Sequence, residues 1–207
     1  MSQTNFWDAR FAQDAYVYGR EPNVFLAEHH LLFPKGARVL SLGEGEGRNA
    51  VFLARQGYDV TAMDASEEGM RKLSRLAVEG GVLVSQRLED VTRADLGKSR
   101  WNGIVNVFCH LPSDDRRALY AKIREALKPG GVYLSEMFTP RQLDYRSGGP
   151  KDPDGLVEPD ELIQAFEGSP ASGFEIVLAE EEVVTLDEGP FHQGPGSVVR
   201  FIARRKD

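Results

Sequence analysis

An α/β fold, with a mostly parallel seven-stranded sheet between two layers of helices and an antiparallel hairpin at its C-terminal end, is predicted by three features of this 207-residue chain. The apolar run VLSL at 39–42 enters the glycine turn GEGEG at 43–47 and leaves it in a helical pattern. Strand-like and helix-like segments then alternate as far as Met137. The last two extended stretches follow one another with no helical pattern between them, as antiparallel neighbours do, whereas parallel ones need a long crossover.

Taken in order, an aromatic N-terminal stretch comes first. Pro22 then stands at the expected start of a helix through NVFLAEHHLLF, whose apolar residues recur at roughly helical spacing until Pro34 and Gly36 stop it. Strands are predicted at 38–42, 58–63, 83–87, 103–109 and 132–137, with helices at 48–56, 67–79 and 114–127 between them. That βαβα order gives a parallel sheet with helices on both faces and places a ligand at the carboxyl ends of the strands. An irregular loop containing SGGP at 147–150 and then DPDGL follows the fifth strand. The extended stretches 175–186 and 197–204, joined by DEGPFHQGPG, are predicted to close the sheet as the hairpin.

Bulk properties narrow the function. The length suits one substantial core, and no Pro/Gly/Ser-rich linker or repeat divides it, so residues 1–207 are expected to form a single domain, with 1–35 as an N-terminal lid and helix. A net charge of -7 and a pI near 5.2 argue against general affinity for nucleic acid or an anionic membrane, which favour basic patches. The expected partner is a small molecule, and the expected assembly a monomer or homodimer. Cys109 is the only cysteine, so no intramolecular disulfide can form. The opening residues MSQTNFWDARF lack a secretory pattern, so a cytoplasmic location is expected. His29, His30, His110 and His192 do not have zinc-ligand spacing, and no metal is expected.

The glycine turn selects among cofactors. Backbone amides in such a turn approach a ligand closely, and an acid about 20 residues on can hold a ribose, here Asp64 after YDVTAM; this is the way a Rossmann-like fold binds an adenosine cofactor. A dinucleotide fingerprint needs its third glycine at position 48, where Arg48 stands, while the third glycine is Gly47. The GxGxG turn without a pyrophosphate seat suits S-adenosylmethionine better. A nicotinamide-dependent oxidoreductase is the less favoured alternative.

The stretch GEGEGRNAVFLARQGYDVTAMDAS, the HLP at His110, the WDARF and YGREPNVFL segments and LKPGGVYLSE together resemble the class I S-adenosylmethionine-dependent methyltransferases. Within them the chain is most similar to the bacterial tellurite-resistance and thiopurine methyltransferase branch. The resemblance implies a seven-stranded fold ending in a hairpin, and methyl transfer from S-adenosylmethionine to a small acceptor by in-line displacement. A thiol or another chalcogen species is the first expectation for the acceptor, with a small oxygen or nitrogen nucleophile second. A non-catalytic protein that binds S-adenosylmethionine or S-adenosylhomocysteine is the alternative from a different class. The family's glycine motif usually begins Asp-Leu-Gly; here Ser41 stands in the place of the acid, and Glu44 is expected to take over its role.

Residue by residue, Asp64 is expected on the ribose, with a helix cap ahead of ASEEGM as its other reading. Gly43, Gly45 and Gly47 form the turn, and Ala65 and Phe108 complete the nearby cofactor wall. The resemblance implies an adenine contact from Glu89 or Asp90, while their charged neighbours suggest a solvated loop pair. Arg48 and Asn49 either donate to the cofactor's carboxylate or cap the turn. Trp7, Arg10 and Tyr18 belong to the lid, where aromatic faces attract a sulfonium and Arg10 can pair with a carboxylate. Lid closure would exclude water and align donor with acceptor. His110 and His192 are the candidate catalytic residues; a helix cap and an exposed loop histidine are their respective alternatives. In the resembled branch the tellurite-resistance members carry an arginine after the loop histidine; this chain has Gln193, which speaks against a strongly anionic acceptor.

Overall fold

The computed structural model describes residues 3–167 and 173–207. Helix α1 (Gln3–Phe11) and α2 (Val24–His29) precede β1 (Arg38–Leu42), α3 (Arg48–Arg55), β2 (Asp59–Asp64), α4 (Glu67–Glu79), β3 (Ser85–Leu88) and β4 (Trp101–Val107). Then come α5 (Ser113–Ala126), β5 (Leu127–Phe138), α6 (Pro159–Glu167), β6 (Phe174–Asp187) and β7 (Gln193–Arg205). The seven strands make one sheet in the order β3-β2-β1-β4-β5-β7-β6. The pairs among β1 to β5 are parallel, and β7 is antiparallel to both β5 and β6.

Strand β1 is an interior strand buried on both faces, so its side chains alternate between two cores. Leu40 and Leu42 join Trp101, Tyr120, Tyr133 and Phe166 on the face covered by α5 and α6. Val39 joins Phe25, Leu53, Leu73 and Val105 on the face covered by α2, α3 and α4. The predicted alternation is present, with shifted ends. Strand β4 starts at Trp101 and stops at Val107, because Phe108 takes a left-handed φ of 55° and leaves the ladder. Strand β5 begins at Leu127, which therefore caps α5 instead of extending it, and a register shift lies between Trp101 and Gly103.

Two helices carry no expectation from the sequence. Helix α1 lies within the aromatic N-terminal stretch, and α6 follows the irregular loop, burying Leu162 and Phe166 one turn apart. The helix expected from Pro22 onward is shorter than its apolar pattern. Asn23 is its cap, accepting from the Leu26 amide at 3.0 Å, and after His29 the chain tightens into a 3-10 turn.

Candidate active site

The carboxyl ends of β1, β2, β4 and β5 open into a cavity of about 690 Å³ whose far side is closed by α1. The glycine turn forms its floor. Gly43 and Gly45 have φ of 57° and 61° and line the cavity, whereas Gly47, at φ 99°, does not. A Cβ at Gly47 would meet the Leu73 Cγ at 2.6 Å, so this glycine lets α3 pack against α4 rather than letting a ligand approach.

Asp64, at the end of β2, faces the same cavity. Its Oδ2 accepts from the Gly45 amide and its Oδ1 from the Ser66 amide, each at 2.8 Å, which orients the carboxylate across the glycine turn. Burial pushes its pKa up against these bonds. The cap of α4 is Ser66, whose hydroxyl accepts from the Gly69 amide at 3.0 Å, so Asp64 is not that cap. Ala65 and Asp90 also line the cavity. Glu89 does not: it pairs with Arg87 at 2.7 Å and is half-exposed, so of the two acids only Asp90 reaches the cavity.

Glu44 has a structural task. No side chain of the cap residue Gly47 can satisfy the first amides of α3, and the Glu44 Oε1 accepts from the Asn49 and Ala50 amides at 3.0 and 2.8 Å instead. Its other oxygen accepts from the Ser41 hydroxyl. Burial outweighs these bonds and raises its pKa to about 7.

Arg48 is 8% exposed and joins the cavity wall. Its Nη2 binds the Glu188 carboxylate at 2.8 Å, and its Nη1 is buried with no partner in the described structure. An orphaned guanidinium nitrogen beside a glycine turn is where an anionic group of a ligand fits. Asn49 faces the cavity too, with its Oδ1 accepting from the Asn23 amide at 2.9 Å.

The lid residues gather over the turn. Trp7 stacks on Phe11 at 5.5 Å, and Arg10 donates to the Tyr18 hydroxyl at 3.0 Å while lying over the Phe6, Trp7 and Phe191 rings. Helix α1 is docked by Asp8, which accepts from the Ser66 hydroxyl at 2.6 Å and the Glu68 amide at 3.3 Å. Below it the strap at 13–18 is held by the buried pair Lys72–Glu46.

The two histidines differ. His110 lines the cavity, but its Nδ1 lies 2.7 Å from the Gly155 carbonyl and its Nε2 accepts from the Phe138 amide at 3.3 Å. Both nitrogens are spent on the backbone, and burial pushes its pKa down to about 3. The expected catalytic role therefore has no free nitrogen to use, and His110 instead ties the loop before α6 to β5. His192 is 5% exposed, not a solvated loop residue. It packs against Tyr18, Phe108 and Phe138 with ring centroids at 4.6, 4.8 and 5.3 Å. Its Nδ1 lies 3.3 Å from the Glu188 carboxylate.

All the predicted site residues except Gly47 and Glu89 thus line one cavity. Sequence reasoning missed Phe11, Glu46 and Phe138 on its wall and Asn23 and Glu188 behind it. The EGPFH spacing of Glu188 and His192 was the available signal for the last. Among the described residues no group of three or more His, Cys, Asp or Glu side chains is placed to hold a metal, and no helix is long and apolar enough to cross a membrane.

Residues 39–131 match a family described as a methyltransferase domain. The chain is 37% identical over 113 residues to the ubiquinone biosynthesis O-methyltransferase of Xanthomonas axonopodis pv. citri, covering 51% of this chain and 45% of that protein. It is 30% identical over 99 residues to "Probable S-adenosyl-L-methionine-dependent methyltransferase TehB" of Haemophilus influenzae, covering 47% and 34%. The matches thus span less than half the length of these relatives. Among solved structures, that of Haemophilus influenzae TehB superposes with a TM-score of 0.72 at 20% identity, over 98% of this chain and 67% of that one. The structure described as "Conversion of a Disulfide Bond into a Thioacetal Group during Echinomycin Biosynthesis" gives 0.76 at 20% identity, over 98% and 91%.

Proposed function

We propose that this protein is a class I S-adenosylmethionine-dependent methyltransferase, which binds S-adenosylmethionine and methylates a small acceptor; the match of residues 39–131 to a methyltransferase domain and the seven-stranded sheet support the reading. The observation that carries the reading is the convergence of the glycine turn, Asp64 and the unpartnered Arg48 Nη1 on one cavity at the carboxyl ends of the strands. When bound, the cofactor would supply a methyl group on a sulfonium, whose carbon an acceptor attacks in line with the thioether sulfur as the leaving group.

The chain's own residues bind and orient. Asp64 takes the ribose hydroxyls, Asp90 the adenine amino group, and Arg48 Nη1 the amino-acid carboxylate, each by a hydrogen bond between groups of complementary charge or polarity. Helix α1 and Tyr18 exclude water from above. Phe108, held in a strained backbone conformation, forms the apolar wall with Phe138 on the side of His192. That wall suits a weakly hydrated nucleophile, and a thiol or another chalcogen species is the acceptor we favour. Residues 1–207 act as one domain in this reading.

Incubation of the full chain with methyl-labelled S-adenosylmethionine and a panel of thiols and selenols tests it. Acceptor-dependent release of S-adenosylhomocysteine is expected. Bound cofactor without turnover across thiols, selenols, phenols and amines would overturn the catalytic reading in favour of a binding protein.

A further inference from the structure

We propose that Glu188 is a positioning residue that makes His192 the general base of the site, so that the acceptor arrives with a proton on its nucleophilic atom. The proposal rests on the methyl-transfer reading above and names the acceptor class more closely.

Glu188 opens the β6–β7 turn and is 7% exposed. Its Oε1 accepts from the Asn23 amide group at 2.9 Å, and its Oε2 faces Arg48 Nη2 at 2.8 Å and His192 Nδ1 at 3.3 Å. Burial alone would raise its pKa; the hydrogen bond with His192 and the Arg48 charge outweigh that and hold it at about 2. An ionised carboxylate only accepts, so the proton of a neutral His192 is on Nδ1 and the lone pair is on Nε2. The turn enforces the pairing. The Glu188 amide donates to the His192 carbonyl at 2.9 Å, and the His192 amide donates to the Gly189 carbonyl at 3.2 Å, which keeps both side chains on one side.

Nε2 has no hydrogen-bond partner in the described structure. His192 lines the cavity, and a Cβ at Gly148 would meet its Cδ2 at 2.6 Å and the Phe191 carbonyl oxygen at 2.7 Å, so only a glycine lets that loop pack against the ring edge. The charged and titratable groups around the ring are Glu188 from the turn, Arg48 from α3, Arg10 from α1, Tyr18 from the strap and His110 after β4. Burial lowers the proton affinity of His192 more than Glu188 raises it, and Arg48 and Arg10 add to the lowering, so the basic form prevails at neutral pH. The Tyr18 hydroxyl is occupied by Arg10.

The step balances simply. The acceptor's X–H proton passes to Nε2 as X bonds to the methyl carbon, the carbon–sulfur electron pair stays with sulfur, and the imidazolium rests against Glu188 until it releases its proton to water. A thiol or a phenolic hydroxyl fits; an acceptor that is already an anion gains nothing from the base.

Histidine 15N NMR of the full chain with S-adenosylhomocysteine tests the proposal. His192 is expected to be neutral, with Nδ1 protonated and Nε2 bare, and Glu188→Gln to populate both tautomers. A protonated Nε2 in the wild type would overturn the inference, and the tautomer decides on its own where no thiol is methylated. With labelled S-adenosylmethionine, His192→Ala is expected to lose roughly 10²-fold or more with 2-mercaptoethanol, which is protonated at neutral pH. With 4-nitrobenzenethiol, already ionised, the loss is expected to stay under about tenfold, since no proton remains for a base to take; equal losses would also overturn it. Calorimetry on the same samples separates the two readings. No binding of S-adenosylhomocysteine defeats the methyl-transfer reading, whereas binding with the wrong tautomer defeats only the role of Glu188.

Discussion

Replacing Glu46 by Gln should loosen the strap that carries the lid and cost the protein about 3–5 kcal/mol, the usual loss when one member of a buried ion pair is removed. Lys72 and Glu46 are 1% and 5% exposed. The Lys72 ammonium donates to the Gln13 and Ala15 carbonyls at 2.8 and 2.7 Å and to Glu46, while the other Glu46 oxygen accepts from the Val17 amide at 2.7 Å. The substituted amide would keep the volume but leave a buried cation without a counter-charge, and its NH₂ would have to face either the ammonium or the Val17 amide, donor against donor. For a chain of this size the loss corresponds to roughly 6–20 °C in Tm. Thermal and urea unfolding would measure the loss, and hydrogen exchange at the Val17 and Tyr18 amides would place it in the strap. The paired replacement Glu46→Leu with Lys72→Met should recover part of the stability, because it strands no charge but still leaves the Val17 amide and the Gln13 and Ala15 carbonyls without these partners. A single-variant loss below about 1 kcal/mol, or a double variant as unstable as the single, would refute the assignment of this pair as the strap's anchor.

Three further outcomes follow from buried groups. Glu44 has a folded pKa near 7 against 4.5 for the free group, so the folded state holds the extra proton; stability should fall as pH rises through that interval, by about 3 kcal/mol at most. Glu44→Gln should flatten the dependence in urea titrations at several pH values, and an unchanged slope would contradict the assignment. His110→Ala should cost about 2–4 kcal/mol, because the Gly155 carbonyl and the Phe138 amide both lose a partner. A loss under about 0.5 kcal/mol in the same assay would mean water replaces the ring freely. At Gly189 a Cβ would meet the Val17 carbonyl oxygen at 2.6 Å, so Gly189→Ala should part the hairpin turn from the strap and raise exchange at nearby Gly19; unchanged protection would show that the contact is not needed.

The sheet was legible because each central strand carries its own apolar run and each glycine turn its own φ requirement, both local signals. The place of Asp64 on the cavity wall was legible for the same reason, since strand, turn and acid lie within one βαβ unit. Helix α1 escaped because its residues are mixed along the sequence, and its docking depends on Asp8 finding Ser66 and Glu68 across the fold. Glu89 and Asp90 could not be told apart in one dimension; the pairing of Glu89 with Arg87 separates them. The role of Glu44 in satisfying α3 follows from the left-handed Gly47, which removes any side chain from the cap position. Least visible was Glu188, whose partners Asn23 and Arg48 are 165 and 140 residues away. Beyond its four-residue spacing from His192, a buried carboxylate shared by distant donors leaves no pattern to read.

Calorimetric titration of the full chain with S-adenosylmethionine, S-adenosylhomocysteine and NADH, repeated with Asp64→Ala, tests the central claim most directly. The account predicts micromolar binding of the first two, none of NADH, and a weakening of roughly 10–100-fold in the variant from the loss of charge-assisted bonds to the ribose. Binding of NADH alone, binding of none of the three, or an Asp64→Ala affinity equal to that of the wild type would contradict it.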